Sequence, residues 1–395
     1  MHKDGIDEQA LRRDRLSRIR EQLKQRDYAA VVLFDPINIR YATDTTNMQV
    51  WVLHNAVRYV FVPTEGPVVL FDFHNCEHLS KGIETVDEVR PACGWDYFGA
   101  GPRKQERAKR WAAEIADLVN AHGGGNRRVA LDHVDPAGAV ALQAHGISLH
   151  DGQEVLEQAR SIKSSVELAA MKAAIAACEE GMRRMREALR PGISENELWS
   201  VLHQANIVLG GEWIETRLLT SGPRTNPWFQ ECADRLIEAG DLVSFDTDLI
   251  GPRGYCADIS RCWLCGEGKP TDVQRRLYAL AYEQIQYNTA LLKPGVEFRE
   301  FGEKSFQLPD EFAPNRYSAV IHGVGLCDEY PKVVYPEDAA RGGYEGFLLE
   351  NMVVCVESYI GAVGGREGVK LEEQVLVTPD GPVTLSSYPF EDDFL

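Results

Sequence analysis

Acidic side chains inside apolar, strand-like segments constrain the fold of this chain more than any other feature. Five such carboxylates and one histidine lie between residues 246 and 372. Burying a carboxylate in an apolar strand is costly unless it is paired or binds a metal. The surrounding segments offer too few lysines and arginines to pair all five, although Asp258 alone could pair with Arg261. The predicted metal ligands are Asp246, Asp248, Asp258, His322, Glu357 and Glu372.

Hairpin geometry predicts how these side chains meet. Period-two alternation places Asp246 and Asp248 on one face of a strand. A turn at residues 251–254 returns the chain, so that the next strand brings Asp258 back towards them. A second predicted hairpin, around the glycine-rich loop 361–368, carries the two glutamates. We therefore expect one acidic cleft between two hairpins.

The donor set indicates which cations the cleft would hold. Two divalent cations would bring five negative charges to a residual −1, which suits a hydrolytic or eliminating site. Oxygen donors with one imidazole favour Mn, Fe, Co or Zn over Ca. A lone histidine is more often a core residue, but the glycines after His322 allow close approach of a ligand and the acids favour a metal role. We expect two divalent or transition-metal ions, with iron favoured and manganese or zinc possible.

Length and periodicity predict two domains in a chain of 395 residues. Residues 1–160 alternate strands and helices as a compact α/β unit, whereas residues 161–395 segregate helices from antiparallel strands, which is typical of an α+β domain. Their charge balances are −3 and −15. The principal predicted helices are residues 11–26, 105–121, 166–189, 195–209 and 271–292, and the principal strands are 29–34, 57–62, 68–73, 129–131, 241–250, 255–265, 352–360 and 369–378.

Composition excludes several classes of partner. A net charge of −18 argues against nucleic acid or an anionic membrane surface, because both require basic residues. The apolar runs are far too short to span a bilayer, and the charged beginning of the sequence has no secretory pattern. Nine cysteines, without paired CxxC motifs, are typical of reduced thiols. We expect a cytoplasmic protein with a small-molecule substrate.

The order of these motifs resembles the pita-bread metallopeptidase family, which includes creatinase, aminopeptidase P, prolidase and methionine aminopeptidase. The order is Asp, Asp, HGxG, Glu, Glu, with GYCADISR at 254–261 and LEEQVLVT at 371–378. The stretch DPINIRY at 35–41 resembles the creatinase-type N-terminal domain of that family. The resemblance implies a creatinase-type domain at 1–160, a pita-bread catalytic domain at 161–395, a dinuclear metal centre and a homodimer.

Departures from the peptidase pattern point to different chemistry. The first acidic strand offers two aspartates rather than one. Asp328 takes the place of one peptidase histidine, and an aromatic residue at the end of the stretch 221–229 takes the place of another. Peptide cleavage uses those histidines as proton and hydrogen-bond donors. The substitutions resemble a branch of the family that cleaves dimethylsulfoniopropionate to dimethyl sulfide and acrylate.

That branch implies a metal-assisted β-elimination with Asp328 as the general base. A carboxylate is a weak base for such a proton, so we expect the site to desolvate Asp328. Aromatic rings would hold the sulfonium through cation–π contact, each worth about 0.5–2 kcal/mol. The candidates are Trp51, Trp228 and Tyr317, although ordinary packing is the commoner role of a single ring. Tyr317 could instead orient Asp328 through its hydroxyl.

Two other functions stay open at this point. The first is a C–N hydrolase, either a prolidase-like metallodipeptidase or an amidohydrolase acting on a small polar substrate. The second is a binding protein that has lost catalysis, which is disfavoured because all six ligand positions are filled. Release of dimethyl sulfide, against release of proline from dipeptides, separates the lyase from the hydrolase.

Overall fold

The structure is a computed structural model that describes residues 5–395. It divides into two compact units, Asp7–Arg160 and Ser161–Leu395. No helix within the described range 5–395 combines the length and the apolar character needed to cross a membrane.

The N-terminal unit is a mixed six-stranded sheet with helices, as predicted for an α/β unit. The strand order is β4-β3-β2-β1-β5-β6. The predicted strands 57–62 and 68–73 are found as the antiparallel pair β2–β3, whereas β1–β5 and β5–β6 are parallel. Its elements are α1 (Glu8–Gln25), β1 (Ala30–Leu33), α2 (Pro36–Thr43), α3 (Gln49–His54), β2 (Tyr59–Pro63), β3 (Val69–Asp72), β4 (Glu88–Pro91), α4 (Tyr97–Ala100), α5 (Lys104–His122), β5 (Arg128–Leu131), α6 (Pro136–Gln143), β6 (Ser148–Asp151) and α7 (Gly152–Ser161).

The second unit begins with two helices and continues into antiparallel sheets, as expected for α+β. A five-stranded sheet has the order β14-β13-β15-β16-β17, and two three-stranded sheets have the orders β12-β9-β8 and β11-β10-β7. The elements are α8 (Ser165–Ala188), α9 (Glu195–Val208), β7 (Trp213–Ile214), β8 (Leu219–Ser221), β9 (Leu242–Asp246), β10 (Leu249–Ile250), β11 (Cys256–Ala257), β12 (Ser260–Leu264), α10 (Asp272–Ala290), α11 (Phe298–Lys304), β13 (Ile321–Val324), β14 (Asp328–Val333), α12 (Ala339–Gly342), β15 (Val353–Ile360), β16 (Val369–Leu376) and β17 (Val383–Thr384).

Local sequence signals explain where the long helices of this unit begin. Ser164 and Glu167 form a reciprocal capping box at the start of α8, and Ser194 with Glu197 does the same at α9. Each box satisfies backbone N–H groups that a helix terminus leaves without partners. Behind the sheet, one face of α10 joins an apolar core with β15 and β16. This core supports the sheet that carries the two glutamates.

Two predicted strands are interrupted, and the interruptions shape the acidic cleft. The predicted strand 241–250 is divided into β9 and β10, and Asp248 lies between them with a φ of +35°. The predicted strand 255–265 is likewise divided into β11 and β12, with Asp258 in the gap. The prediction that strand alternation orients Asp246 and Asp248 is therefore wrong, because the backbone turns between them.

Candidate metal centre and active site

The three aspartates lie together because the two broken strands run side by side. Asp246 ends β9 and stands opposite Ser260 of β12. Oxygen atoms of Asp246, Asp248 and Asp258 lie within 4.8 Å of one another. Thr216 holds Asp248 by donating a 2.6 Å hydrogen bond from Oγ1 to Oδ2. The aspartate part of the predicted constellation is thus brought to one place.

The register of β13, β15 and β16 adds the histidine and the glutamates. Glu357 stands opposite Glu372 across the β15–β16 pair, as the hairpin prediction requires. The His322 Nε2 atom lies 3.3 Å from Glu372 Oε1, 3.6 Å from Glu357 Oε1 and 3.5 Å from Asp258 Oδ2. One imidazole therefore faces two carboxylates of one sheet and a third from the break between β11 and β12.

Several of these carboxylate oxygens accept no hydrogen bond. Within residues 5–395, Asp258 Oδ1, both oxygens of Glu357 and Glu372 Oε1 have no hydrogen-bond donor. All three residues are at most 2% exposed. An unsatisfied buried polar group costs about 1–3 kcal/mol, and more when it is charged. Oxygens of this kind, gathered around an imidazole, fit a site for hard or borderline divalent cations.

Burial and mutual repulsion raise the pKa of most of these acids. Burial raises the pKa of Asp246, and it raises the pKa of Asp248 and Asp258 well above the usual range with repulsion from neighbouring carboxylates. Burial likewise raises the pKa of Glu357 to about 8. A bound cation would relieve this repulsion, because it favours the ionised forms.

Among these acids only Glu372 has a lowered pKa, whereas the pKa of His322 is raised. Burial alone lowers the pKa of His322, but the carboxylates of Asp328 and Glu357 outweigh it and raise that pKa well above its usual range. Burial disfavours ionised Glu372, yet Lys370 and His322 hold its pKa below the usual range. The charges of this cluster are therefore strongly interdependent.

Lys370 is the functional residue that sequence reasoning missed. Its fully buried Nζ lies 2.6 Å from Glu372 Oε2, 3.1 Å from Asp246 Oδ2 and 3.2 Å from Glu357 Oε2. The sequence predicts too few basic residues to pair all five acids, and this one lysine, which contacts three of them, was not singled out. Its signal was the alternation that puts residue 370 on the same strand face as residue 372. With Lys370, two divalent cations would bring the cluster from the predicted −1 to neutrality.

The other basic residue considered from the sequence does not enter the cluster. Arg261 pairs with Glu373, and its Nη1 donates a 2.8 Å hydrogen bond to the backbone oxygen of Glu372. It does not pair with Asp258. Arg261 therefore fixes the strand that carries the glutamates and leaves the acids themselves to Lys370 and to cations.

Asp328 lies at the edge of the cluster. It is the first residue of β14, its side chain is 54% exposed, and its Oδ1 lies 3.7 Å from His322 Nδ1. The next residue, Glu329, forms a buried ion pair with Lys163, which fixes the beginning of this strand. The expected burial of Asp328 is not found within the described chain. The carboxylate is instead accessible to a substrate.

Two of the three predicted aromatic residues lie beside the acids. The Tyr317 ring centre is 4.8 Å from Lys370 Nζ, and the Trp228 ring centre is 6.0 Å from the same atom. Burial raises the pKa of Tyr317, so its hydroxyl keeps its proton. In the described part of the chain, no hydrogen bond joins Tyr317 to Asp328. Phe229, which ends the stretch where an aromatic residue replaces a peptidase histidine, is 59% exposed, and its ring centre lies 5.2 Å from that of Tyr317.

Trp51, the third predicted aromatic residue, belongs to the N-terminal unit. It lies in α3 and is 38% exposed. Its ring makes edge contacts with Phe73 at 5.6 Å and with Phe98 at 6.5 Å. Its role in a substrate site stays a prediction.

Fold and site together define the class of protein: an enzyme with a carboxylate-rich metal centre held between antiparallel sheets. The model of metallopeptidase family M24 matches residues 169–379, and the model of the creatinase/prolidase N-terminal domain matches residues 15–162. The chain belongs to metallopeptidase family M24, and the predicted resemblance is confirmed. Members of this family depend on a dinuclear metal centre, which the acid cluster fits.

Individual relatives cover nearly the whole chain. The dimethylsulfoniopropionate lyase DddP of Roseovarius nubinhibens is 46% identical over 392 residues, which are 98% of this chain and 87% of the relative. The DddP lyase of Roseobacter denitrificans is 43% identical over 97% of this chain and 87% of its own. The Xaa-Pro dipeptidase of Bacillus anthracis superposes with a TM-score of 0.75 over 96% of this chain and 98% of its own. At 21% identity, that likeness shows the fold alone.

Proposed function

We propose that the protein is a metal-dependent carbon–sulfur lyase that splits dimethylsulfoniopropionate into dimethyl sulfide and acrylate. The observation that carries this proposal is the 46% identity to a dimethylsulfoniopropionate lyase over 98% of the chain. The chemistry of the site agrees with it, since Asp328 stands where the peptidase pattern has a histidine. An elimination needs a base at this place and no proton donor for an amine.

The proposed metal ligands are the six residues predicted from the sequence. Bound cations would supply Lewis-acid stabilisation of the negative charge that develops on the substrate carboxylate. Iron is the favoured metal, with manganese or zinc as alternatives. Lys370 holds one oxygen of Glu372 and approaches Asp246 and Glu357, so the protein itself fixes the orientation of these acids.

Asp328 carries the proton transfer in this proposal. Its carboxylate removes the proton from the carbon next to the substrate carboxylate, and the C–H electron pair forms the double bond of acrylate. The C–S bond breaks with its electron pair on sulfur, which leaves as neutral dimethyl sulfide. Because Asp328 is exposed, it can return the proton to solvent.

Tyr317, Trp228 and Trp51 are proposed to contact the substrate. The rings of Tyr317 and Trp228 already lie near one ammonium group, that of Lys370, which supports their ability to face a cation. The hydroxyl of Tyr317 keeps its proton and can donate a hydrogen bond, which supports a second, catalytic role. Phe229 joins this set as an exposed ring beside Tyr317.

We further propose domains at 1–160 and 161–395, a homodimer and a cytoplasmic location.

Exposed apolar side chains on the N-terminal unit support the dimer, because monomers rarely expose many large apolar groups together. Analytical ultracentrifugation should give twice the chain mass, and Phe98→Glu should shift the equilibrium towards the monomer. The exposed side chains are Met48, Val50, Trp51, Leu53, Tyr97 and Phe98.

The proposed reaction is tested by supplying the metal-loaded protein with a panel of sulfonium betaines and, in parallel, a panel of dipeptides. We expect dimethyl sulfide and acrylate in equal amounts from dimethylsulfoniopropionate. Asp328→Asn should lower kcat by about 10²–10⁴-fold without loss of metal. The control Asp310→Asn alters an exposed acid and should act as the parent protein does. Release of proline from dipeptides without dimethyl sulfide would overturn the proposal.

A further inference from the structure

A buried thiol lies among the proposed metal ligands. Cys355 of β15 stands directly opposite His322 of β13, so the two side chains share a face of the sheet. The Sγ atom lies within 4.8 Å of ligand atoms of Asp258, His322 and Glu372. The position of Cys355, two residues before Glu357, gives it the same strand face as that acid.

The carboxylates around this thiol include oxygen atoms that accept no hydrogen bond. Asp258 Oδ1 and Glu372 Oε1 accept no hydrogen bond within residues 5–395, and both residues are at most 2% exposed. The thiol itself makes a weak 3.9 Å contact with the backbone oxygen of Asp258. A cysteine in an ordinary apolar core has no such neighbours. Soft sulfur donors select thiophilic cations, whereas manganese prefers oxygen.

We propose that Cys355 is a further metal donor, which allows the protein to bind a thiophilic divalent cation through Asp258, His322, Cys355 and Glu372. One imidazole, one sulfur and two carboxylates supply the four donors that a tetrahedral Zn²⁺ or Cd²⁺ site uses. When the cation binds, the thiol releases its proton to solvent and its sulfur coordinates the cation. The inference rests on the metal site of the proposed function and adds to it a preference among cations.

The experiment compares Cd²⁺ with Mn²⁺ on the metal-free, full-length protein. Each cation is titrated by calorimetry, and the ultraviolet cadmium–thiolate charge-transfer absorption is recorded with Cd²⁺. The parent protein should develop this absorption. Cys355→Ser should lose it and should bind Cd²⁺ about 10- to 100-fold more weakly, with its affinity for Mn²⁺ unchanged.

Two cysteine variants serve as matched controls. Cys262→Ser removes another fully buried thiol of the same unit, in β12, and Cys327→Ser removes a partly exposed one. Both should keep the absorption and the Cd²⁺ affinity of the parent. Mn²⁺ binding by Cys355→Ser also reports that this variant folds. If Cys355→Ser binds neither cation, Cys355→Ala is used in its place.

The outcomes separate this inference from the proposed metal site. Charge-transfer absorption and Cd²⁺ affinity that survive in Cys355→Ser would overturn the role of the thiol and leave the metal site standing. An equal loss of Cd²⁺ and Mn²⁺ affinity in a folded Cys355→Ala would also overturn it, because the effect would then be general. A parent protein that binds neither cation would refute the metal site itself.

Discussion

Asp72 of the N-terminal unit and the acid cluster of the second unit are buried in opposite ways. In the N-terminal unit, Asp72 is 1% exposed and meets the Arg58 guanidinium at 3.0 Å, the Asn47 amide at 3.0 Å and the backbone N–H of Phe73 at 2.8 Å. All three hydrogen-bond donors to Asp72 are residues of the same unit. Such an acid is costly to bury alone but is compensated by its own neighbours.

In the acid cluster of the second unit, by contrast, the buried carboxylates face one another. Glu357 is fully buried, yet neither of its oxygens accepts a hydrogen bond from the described residues. Lys370 is a single ammonium group among three carboxylates. The contrast teaches that unmet acceptors, rather than burial, distinguish a site for a cation from an acid that serves the fold. Stability is given up here for binding.

The largest expected effect is the loss of activity when one of these unmet acceptors is removed. Glu357→Gln should lower lyase turnover by about 10³–10⁴-fold, because metal stabilisation is worth several kcal/mol. The metal-free variant should nonetheless unfold at the same or a higher temperature than the parent, since a neutral amide replaces an acid whose pKa burial raises to about 8 and whose ionised form is costly in this site. Dimethyl sulfide release measures the turnover, and scanning calorimetry of the metal-free proteins measures the unfolding temperature. A metal-free variant that melts well below the parent would show that Glu357 stabilises the fold, which contradicts the contrast with Asp72.

The reciprocal test removes a donor in the N-terminal unit. Arg58→Met leaves the Asp72 carboxylate buried without its counter-charge, and should cost about 3–5 kcal/mol in the free energy of unfolding of that unit. Metal content per chain should stay unchanged. As a control, Arg103→Gln removes a highly exposed arginine paired with Glu106 and should leave the stability close to that of the parent. Equal effects from the two variants would contradict the role given to Asp72.

The sequence predicted those parts of the fold and site that depend on local patterns. The capping box at Ser194 and Glu197 needs only a spacing of three residues, and the helix it opens begins at residue 195, as predicted. The strands that carry Glu357 and Glu372 were recognised from alternation around a glycine-rich loop, and they pair in that register. Local chemistry suffices in these cases, because the neighbours that decide the structure are near in sequence.

The features that the sequence did not reveal depend on the approach of distant segments. Asp248 has a left-handed backbone at a break that apolar periodicity conceals. Lys370 could not be assigned as the partner of Asp246 before the two sheets were placed together. The position of Cys355 among the ligands follows from the pairing of β13 with β15, which joins residues more than thirty positions apart. Asp328 was expected to be buried, but the edge position of β14 exposes it.

A smaller effect is expected from Lys370→Met. This variant removes the only ammonium group that contacts Asp246, Glu357 and Glu372 among the described residues. The metal-free variant should be less stable than the parent, because three carboxylates lose their common partner. Saturating Mn²⁺ should therefore stabilise the variant more than it stabilises the parent, by about 1–3 kcal/mol. Thermal unfolding with and without Mn²⁺ gives the difference. An identical metal-induced shift in both proteins would show that Lys370 and the cations act independently.

The smallest expected effect concerns Tyr317, whose ring lies against the same ammonium group as the acids. Tyr317→Phe keeps the ring, whereas Tyr317→Leu removes it, so the pair separates cation–π contact from the hydroxyl. If the ring holds the sulfonium, Tyr317→Leu should weaken substrate binding by about 0.5–2 kcal/mol, seen as a raised KM, and Tyr317→Phe should not. If the hydroxyl takes part in the elimination, both variants should lose kcat to a similar extent. Parent-like kinetics in both variants would show that Tyr317 neither binds the substrate nor takes part in the elimination.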